Sequence, residues 1–508
     1  MFQEKICYIG GFMRISDMIP ESELLSCGAP ADLDVGTPCR DSRRLQKGDL
    51  FFCMDGTHDS GFSHLSEAIW NGAAAIITEP DGISRVGEVG IPVMEVSNVR
   101  RAYARAWSRF CGSPEKSLRL IAVTGTNGKT SVSYFISELL RLAGYATGLI
   151  GTVEYSDGTH KMTSDYTTPP PETLYPLLAE MKRAGDTFAV MEASSHAISQ
   201  ERLYGLTFET AVFTNLSRDH LDYHGTWEAY RDVKASLFRS CKNALINLDD
   251  AAAYDMGFAA GGNVFYYAGK NKDADFQIEN PLCTPDGIHY TLRYESGASE
   301  MKVIPVSAPL VGGFHIYNSA AAIACACLAG IPAGTLEKAA ESLSAPCGRL
   351  EKLDMDADFS VFIDYAHTPD ALEKALMTLR PLTEKLTVLF GAGGDRDRGK
   401  RPEMGRVAAR LADLAIVTSD NPRNEEPDAI IDDIVAGMKG APLIRITDRK
   451  TAIEYAVAHA EAGEIILLAG KGHETYLWDK EGKHTFSERE IVYQIRKGKG
   501  KENVSQHE

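Results

Sequence analysis

Apolar residues in this chain come in short runs separated by turn formers. Leu50–Met54, Ala73–Thr78 and Ile91–Val96 are each bounded by Gly, Asp or Pro and predict strands. Leu65–Trp70 and Arg100–Phe110 read as helical pieces, so the segment up to the linker Gly112-Ser113-Pro114 is a small α/β domain. Leu118–Val123 predicts a buried strand. Beyond it Val132, Phe135, Ile136, Leu139 and Leu140 recur at i, i+3, i+4, i+7 and i+8, which lays one apolar stripe along a helix. Phe188–Met191, Ala211–Phe213 and Ala244–Asn247 continue the strand–helix alternation. The pattern then changes. Val264–Tyr267, Ile288–Tyr294 and Met301–Val306 suggest antiparallel strands with a turn at Pro285-Asp286-Gly287, followed by a helix over His315–Ala329. A third series begins near Ala345, with strands at Val361–Ile363, Leu386–Phe390, Leu414–Val417 and Glu464–Leu468. Each of these leads into a loop dense in Gly, Asp, His or Arg, and ligands of open parallel sheets bind at such strand ends. The residues from Gly498 to Glu508 read as a polar, disordered tail.

The expected class is therefore α/β, in three domains: 1–114, 115–344 and 345–497, with 498–508 as the tail. A length of 508 residues supports that division, at roughly 150 residues per domain. The net charge of -17 argues against sequence-independent nucleic-acid binding, but a few local cations can still hold a phosphate. No apolar run reaches the roughly 18 residues of a membrane span, and the N-terminus lacks the basic start and apolar core of a secretory signal. Ten scattered Cys without zinc spacing read as reduced thiols of a cytoplasmic protein.

The strongest chemistry lies in Gly125-Thr126-Asn127-Gly128-Lys129-Thr130, between the strand ending at Val123 and the striped helix. Gly125 and Gly128 let the backbone turn with its N–H groups inward, and the helix N-terminus adds to the anion site. Lys129 supplies a charge for the β/γ-phosphates, and the Thr130 hydroxyl suits Mg²⁺. The usual P-loop spacing needs Gly where this chain has Val123, so the loop is a shortened variant. Glu192 and His220 follow the next two strands and would project over the same sheet edge. A carboxylate and an imidazole there suit a metal, yet Asp219 and His220 equally suit a helix cap, with His224 packing on Tyr223. Lys234, taken alone, is an ordinary surface lysine on a helical stretch.

Together these residues resemble the Mur ligase family. The resemblance covers nearly the whole chain, most strongly in Thr124–Ser131, Met191–Arg202, Phe213–Leu237, Asp364–Leu372, Gly391–Met404, Thr418–Pro427 and Gly470–Glu474. It implies a uridine-binding N-terminal domain, a central P-loop-type ATPase domain with added antiparallel strands, and a Rossmann-like C-terminal domain. It also implies an ATP-dependent amide-bond ligase of peptidoglycan precursor synthesis that works through an acyl phosphate.

By that resemblance Gly125, Thr126, Asn127, Gly128, Lys129, Thr130 and Ser131 would bind ATP. Asn318, Arg349 and Asp364 would lie on its adenine side. Thr130, Glu192, His220 and Lys234 would hold Mg²⁺, with Lys234 carrying a carbamate formed from CO₂. Lys129, Glu192, His220 and Lys234 are then the catalytic set. Ser42 and the turn Gly56-Thr57-His58-Asp59 would sit near the uridine diphosphate, and Thr167, Thr168, Ser194, Gln200 and Arg202 would hold the muramoyl-dipeptide.

Family members that add meso-diaminopimelate carry the run seen here as Asp420-Asn421-Pro422-Arg423. An Arg there can pair the extra carboxylate of diaminopimelate, which lysine lacks. Arg396, Gly470 and Glu474 match the remaining contacts. The implied partners are thus UDP-N-acetylmuramoyl-L-alanyl-D-glutamate and meso-2,6-diaminopimelate, with a monomer expected. The same ligase using L-lysine, a folylpolyglutamate synthetase-like ligase and a non-catalytic P-loop switch protein stay open as alternatives.

Overall fold

The structure, a computed structural model, describes residues 11–30, 32–56, 59–296 and 300–504. The chain divides into two compact units. One comprises Met1–Glu279, Leu292–Ile304 and Asn318–Ala339; the other comprises Asn280–Thr291, Pro305–Tyr317 and Ala340–Glu508.

The first unit begins with a five-stranded sheet in the order Leu24–Cys27, Val93–Val96, Ala75–Thr78, Leu50–Phe52, Pro38–Cys39. All pairs are parallel except the first. Helix Val99–Phe110 starts where Asn98 accepts a hydrogen bond from Arg101 N–H, which satisfies one of the donors a helix start leaves unpaired. This helix carries the module onto the central sheet. Arg101 and Arg105 stack on Tyr204 at 4.7 and 4.9 Å, and Arg101 also pairs with Glu201.

The central sheet runs in the order Lys161–Thr163, Glu154–Ser156, Thr147–Ile150, Phe188–Glu192, Arg119–Thr124, Phe208–Phe213, Cys241–Asn247, Asn263–Ala268 and ends in Phe276–Thr284, Gly287–Ser296 and Glu300–Ala308. Its middle strands are parallel and buried on both faces, which is why they read as continuous apolar runs. Register aligns Glu192 with Val123, and Thr124 with Phe213. The loops that follow these three strands therefore leave the sheet at one level.

One expectation is corrected. Val264–Tyr267 was assigned to an antiparallel set, but Asn263–Ala268 pairs parallel on both sides. Helix Ala253–Phe258 intervenes between it and Cys241–Asn247, so the connection is a crossover rather than a hairpin.

The second unit is built on a six-stranded sheet in the order Glu351–Leu353, Ser360–Asp364, Ile465–Ala469, Leu386–Phe390, Leu414–Val417, Leu443–Arg445, parallel except at its first pair. Alternate residues feed opposite faces. Phe362, Val388 and Leu467 join one core with helix Pro369–Leu379, while Val361, Ile363, Ile466 and Leu468 join another with helix Arg449–Ala458. The expected disordered tail is also corrected: helix Glu488–Val504 runs through its first part, and residues 505–508 lie outside the described residues.

Arg449 ties this unit together beneath its strand ends. Its guanidinium is fully buried, pairs with buried Glu488 at 2.8 Å, and donates to the carbonyls of Ala469 (2.8 Å) and Ser419 (3.2 Å). Those carbonyls immediately precede Gly470 and Asp420 in the chain. Arg449→Met strands a buried carboxylate and is expected to destabilise the unit by about 3–5 kcal/mol, read from its guanidinium-chloride transition. Adding Glu488→Gln should recover part of that loss in the double variant.

Candidate active site

The glycine loop is fixed by the strand beside it. Thr126 N–H donates to Asn215 O at 2.8 Å, Asn127 N–H donates to Asn215 Oδ1 at 3.0 Å, and Thr214 Oγ1 donates to Asn127 O at 2.6 Å. Gly125 has φ +147°, and a Cβ there would lie 2.0 Å from Thr214 Oγ1, so only glycine fits. Asn318 closes on the other side, where a Cβ on Gly128 would lie 2.8 Å from its Oδ1. Helix Lys129–Leu142 then begins. Its first internal bond is Val132 N–H to Gly128 O, which leaves the N–H groups of Thr130 and Ser131 without a partner inside the helix. Such a helix end suits an anion.

Two lysine amines meet on one oxygen of that loop. Lys129 Nζ is 3.0 Å from Gly125 O and Lys234 Nζ is 2.9 Å from the same atom. Lys234 is 1 % exposed, lies over the Tyr230 ring at 4.9 Å and is 3.5 Å from Thr124 Oγ1. Burial first, then the charge of Lys129, pushes its ammonium well below the usual lysine range. The surface position that Lys234 suggests by itself is thus overturned: helix Trp227–Ser236 turns it inward. Tyr230 links it to the loop, with its hydroxyl 3.1 Å from Thr126 Oγ1.

Glu192, also buried, is the anionic partner at the same edge. Its Oε2 accepts from the hydroxyls of Thr130 and Thr152, both at 3.1 Å, and its Oε1 accepts from Thr152 N–H at 2.7 Å. His220 has φ +52° and precedes helix Leu221–His224, but its side chain makes no cap bond. The imidazole stands 4.9 Å from the His196 ring and 6.3 Å from the Tyr230 ring, and His224 packs on Tyr223 at 4.8 Å. Among the described residues no three His, Cys, Asp or Glu side chains form a metal-holding group. The donors here are hydroxyls and one carboxylate, a set that suits a hard ion retaining water, such as Mg²⁺, better than zinc.

From Glu192 the network continues into the expected dipeptide residues. Thr152 Oγ1 is 2.9 Å from Thr167 Oγ1, Thr168 Oγ1 donates to Glu192 O at 2.7 Å, and Ser194 N–H donates back to Thr168 Oγ1 at 3.0 Å. Arg202 donates to Thr168 O at 2.7 Å and to Gln200 Oε1 at 2.8 Å. In the N-terminal module Ser42 donates to Glu67, and Asp59 pairs with His64 at 2.7 Å. Thr57 and His58 lie outside the described residues.

In the second unit Asp364 accepts from the N–H groups of Leu350 (2.7 Å) and Ala366 (2.8 Å), while Arg349 lies over Tyr365 at 5.3 Å. Burial raises the Asp364 carboxyl, and Arg349 opposes that shift. The strand-end loops bring Asp420, Asn421, Pro422, Arg423, Arg396, Gly470 and Glu474 into one cluster. Gly470 has φ +116°, and a Cβ would sit 2.6 Å from Asp420 Oδ2. Asn421 Nδ2 donates to Glu474 Oε2 at 2.8 Å. Arg423 donates to Gly394 O at 2.6 Å and stacks on Trp478 at 5.1 Å; a Cβ on Gly393 would lie 3.0 Å from Arg423 Nη1 and 3.8 Å from Arg396 Cγ. A Cβ on Gly394 would likewise lie 1.9 Å from Pro422 O.

Some participants escaped the sequence reading. Thr152 and Trp478 carry no motif signal. Thr214 and Asn215 fall inside the Phe213–Leu237 block but carry no role of their own there. Lys471 lies within the Gly470–Glu474 block, yet only the structure shows it fully buried, donating to Asn421 Oδ1 at 3.0 Å and lying 3.4 Å from Glu474 Oε2.

Comparison with known proteins accords with this geometry. Residues 123–326 match the Mur ligase middle domain and residues 348–472 match the Mur ligase, glutamate ligase domain. The UDP-N-acetylmuramoyl-L-alanyl-D-glutamate--2,6-diaminopimelate ligase of Bacillus licheniformis is 42% identical over 455 residues, 88% of this chain and 91% of that protein. A solved structure of a ligase of that same description superposes with a TM-score of 0.72 at 34% identity, covering 96% of this chain and all of the other. Folylpolyglutamate synthase of Mycobacterium tuberculosis, complexed with ADP and AMPPCP, shares the fold alone, at a TM-score of 0.58 and 20% identity over 72% of this chain and 91% of that one. The chain belongs to the Mur ligase family of ATP-dependent, amide-bond-forming ligases.

Proposed function

We propose that this chain joins meso-2,6-diaminopimelate to UDP-N-acetylmuramoyl-L-alanyl-D-glutamate at the expense of ATP. It would do so as a cytoplasmic monomer in peptidoglycan precursor synthesis, with domains at 1–114, 115–344 and 345–497. The observation that carries the reading is the convergence of Lys129 and Lys234 on Gly125 O, one strand from buried Glu192. A nucleotide switch needs the loop and Lys129 but has no use for a second, neutral-leaning lysine beneath them. The names of the relatives support the substrates.

The chemistry proceeds in two displacements. A substrate carboxylate oxygen attacks the γ-phosphorus and ADP leaves. The amine of diaminopimelate then attacks the acyl carbon, phosphate leaves, the amine loses a proton, and an amide remains. Negative charge gathers on the phosphoryl oxygens in flight, so fixed cations and N–H groups lower the barrier most. Lys129 and the N–H groups that open helix Lys129–Leu142 would supply those contacts. Lys234, whose ammonium burial and the charge of Lys129 hold well below the usual lysine range, gives up its proton more readily, and its amine could then add to CO₂, forming a carbamate and releasing a proton. A Mg²⁺ ion held by Thr130, Glu192, His220 and that carbamate would neutralise phosphate charge.

In the amino-acid site Arg423 keeps donors beyond those given to Gly394 O, so it can pair the distal carboxylate of diaminopimelate. Glu474, steadied by Asn421 and Lys471, faces the distal ammonium. Asn318 with Arg349 and Asp364 serve the adenine side, and Ser42 and Asp59 the uridine.

Lys234→Met is expected to lower kcat by about 100-fold or more while ADP binding persists, since it removes one transition-state charge partner. Phosphate release with all three substrates, alongside nucleotide titration, reads both; full turnover in that variant sinks the mechanism. For the amino acid, wild-type protein should turn over diaminopimelate and not L-lysine. Arg423→Ala should raise the KM for diaminopimelate roughly 10- to 100-fold by removing a charge-assisted hydrogen bond. Wild-type turnover with lysine instead would assign the other substrate.

A further inference from the structure

Arg40 follows strand Pro38–Cys39, two residues before Ser42, and its side chain reaches the central module. Its Nε and Nη2 both approach Glu172 Oε1, at 2.9 and 2.7 Å. The second oxygen of Glu172 is buried and has no hydrogen-bond partner. A few residues earlier in the chain, Thr168 O accepts from Arg202 Nη1, and the Arg202 guanidinium lies over the Tyr166 ring at 5.6 Å. Two guanidiniums thus flank the stretch from Thr168 to Glu172, and Glu172 is the carboxylate that faces both.

The electrostatics report the imbalance. Burial first, then the charge of Arg40, pulls Arg202 down, while Glu172 pushes it back up. For Arg40, burial opposes its charge, and its surroundings, Glu172 foremost, more than offset that penalty. Burial raises the Tyr103 phenol and the Cys39 thiol beside the pair, so neither adds an anion. Two cations and one anion leave a surplus of one positive charge, and Arg40 remains accessible, at 39 % side-chain exposure.

We propose that Arg40 is a substrate-binding residue that, with Arg202, clamps an anionic group of the nucleotide-peptide substrate, Glu172 releasing part of its hold on Arg40 as that group arrives. The inference rests on the ligase reading given above. Guanidinium forks match oxyanions bidentately, and the substrate carries two kinds here: the pyrophosphate and the free α-carboxylate of its D-glutamyl residue. Arg40 lies two residues from Ser42 in the chain and shares the field of Glu172 with Arg202, and the ligase reading assigns Ser42 and Arg202 to this substrate.

The test is steady-state phosphate release with the full chain, comparing wild type with Arg40→Met, Arg40→Lys and Glu172→Gln. Arg40→Met should raise the KM for the nucleotide-peptide roughly 10- to 100-fold, with kcat and the KM for ATP and diaminopimelate within about twofold. Arg40→Lys should fall between. Glu172→Gln frees Arg40 and should leave that KM unchanged or lower it. A substrate with its D-glutamyl α-carboxylate amidated separates the two sources: if the Arg40→Met penalty vanishes the carboxylate is the ligand, and if it persists the pyrophosphate is.

The proposal is overturned if Arg40→Met leaves the KM unchanged. It is equally overturned if Arg40→Met and Glu172→Gln raise the KM alike, since the pair is then only a tie between modules. Should Arg40→Met fail to fold, the Arg40→Lys measurement decides: a raised KM supports the clamp and an unchanged one removes it. No turnover in wild type would sink the ligase reading instead, a result distinct from any of these.

Discussion

The central half of this molecule depends on how the backbone turns at Gly125. That turn places one carbonyl oxygen where Lys129 and Lys234 both reach it, and it exists only because Thr214 and Asn215 hold the loop from the neighbouring strand. The consequence is electrostatic. Two ammonium groups sharing an acceptor repel, and the deeper one bears the cost of burial as well, so Lys234 yields its proton more readily than a lysine in water. Parallel register does the rest. Because Thr124, Glu192 and Phe213 end at one level, the loop, the carboxylate and the His220 segment share an edge without long side chains having to span the sheet.

The same logic governs the second unit by different means. Its strand ends are separated by crossovers, so nothing local in sequence holds Asp420 beside Gly470. Arg449 does that, by bonding the carbonyls of the preceding residues from below. A buried ion pair is weak evidence for net stability, but it fixes which loops lie side by side. Here the loops it sets are those carrying Asn421, Arg423 and Glu474.

Much of the fold was legible because buried parallel strands leave continuous apolar runs. Phe188–Glu192, Leu386–Phe390 and Leu414–Val417 stand within a residue of where the pattern puts them. What failed had physical reasons. Asn263–Ala268 is a short β-branched and aromatic run that suits either sense of pairing, and only its crossover helix reveals the parallel one. The pair Tyr476–Asp479 and Gly482–Thr485 is short and has no buried residue, so it leaves no buried apolar run to read as a strand. The ends of the site were similarly uneven. Lys129 and Thr130 follow from a local motif, whereas Lys234 has no local signal at all: its burial comes from helix packing distant in sequence, so residue type alone pointed to the surface. Thr152 was invisible for the same reason.

A chain with a net charge of -17 that handles anionic substrates must keep its useful cations from being neutralised by its own carboxylates. The structure separates the two kinds. Arginines that join modules or cover the surface are matched to acids, as Arg85 is to Asp55, Arg101 to Glu201 and Arg398 to Glu425. Three cations at the site instead donate to neutral oxygens: Lys234 to Gly125 O, Arg202 to Thr168 O and Gln200 Oε1, and Arg423 to Gly394 O. A carbonyl orients a guanidinium or an amine without cancelling its charge, so the field remains available to a phosphate or carboxylate that arrives later. Arg40 sits between these classes, because one carboxylate serves both it and Arg202. Such half-matched cations are the ones that gain most when an anion binds, since the protein has oriented them while leaving their charge unspent.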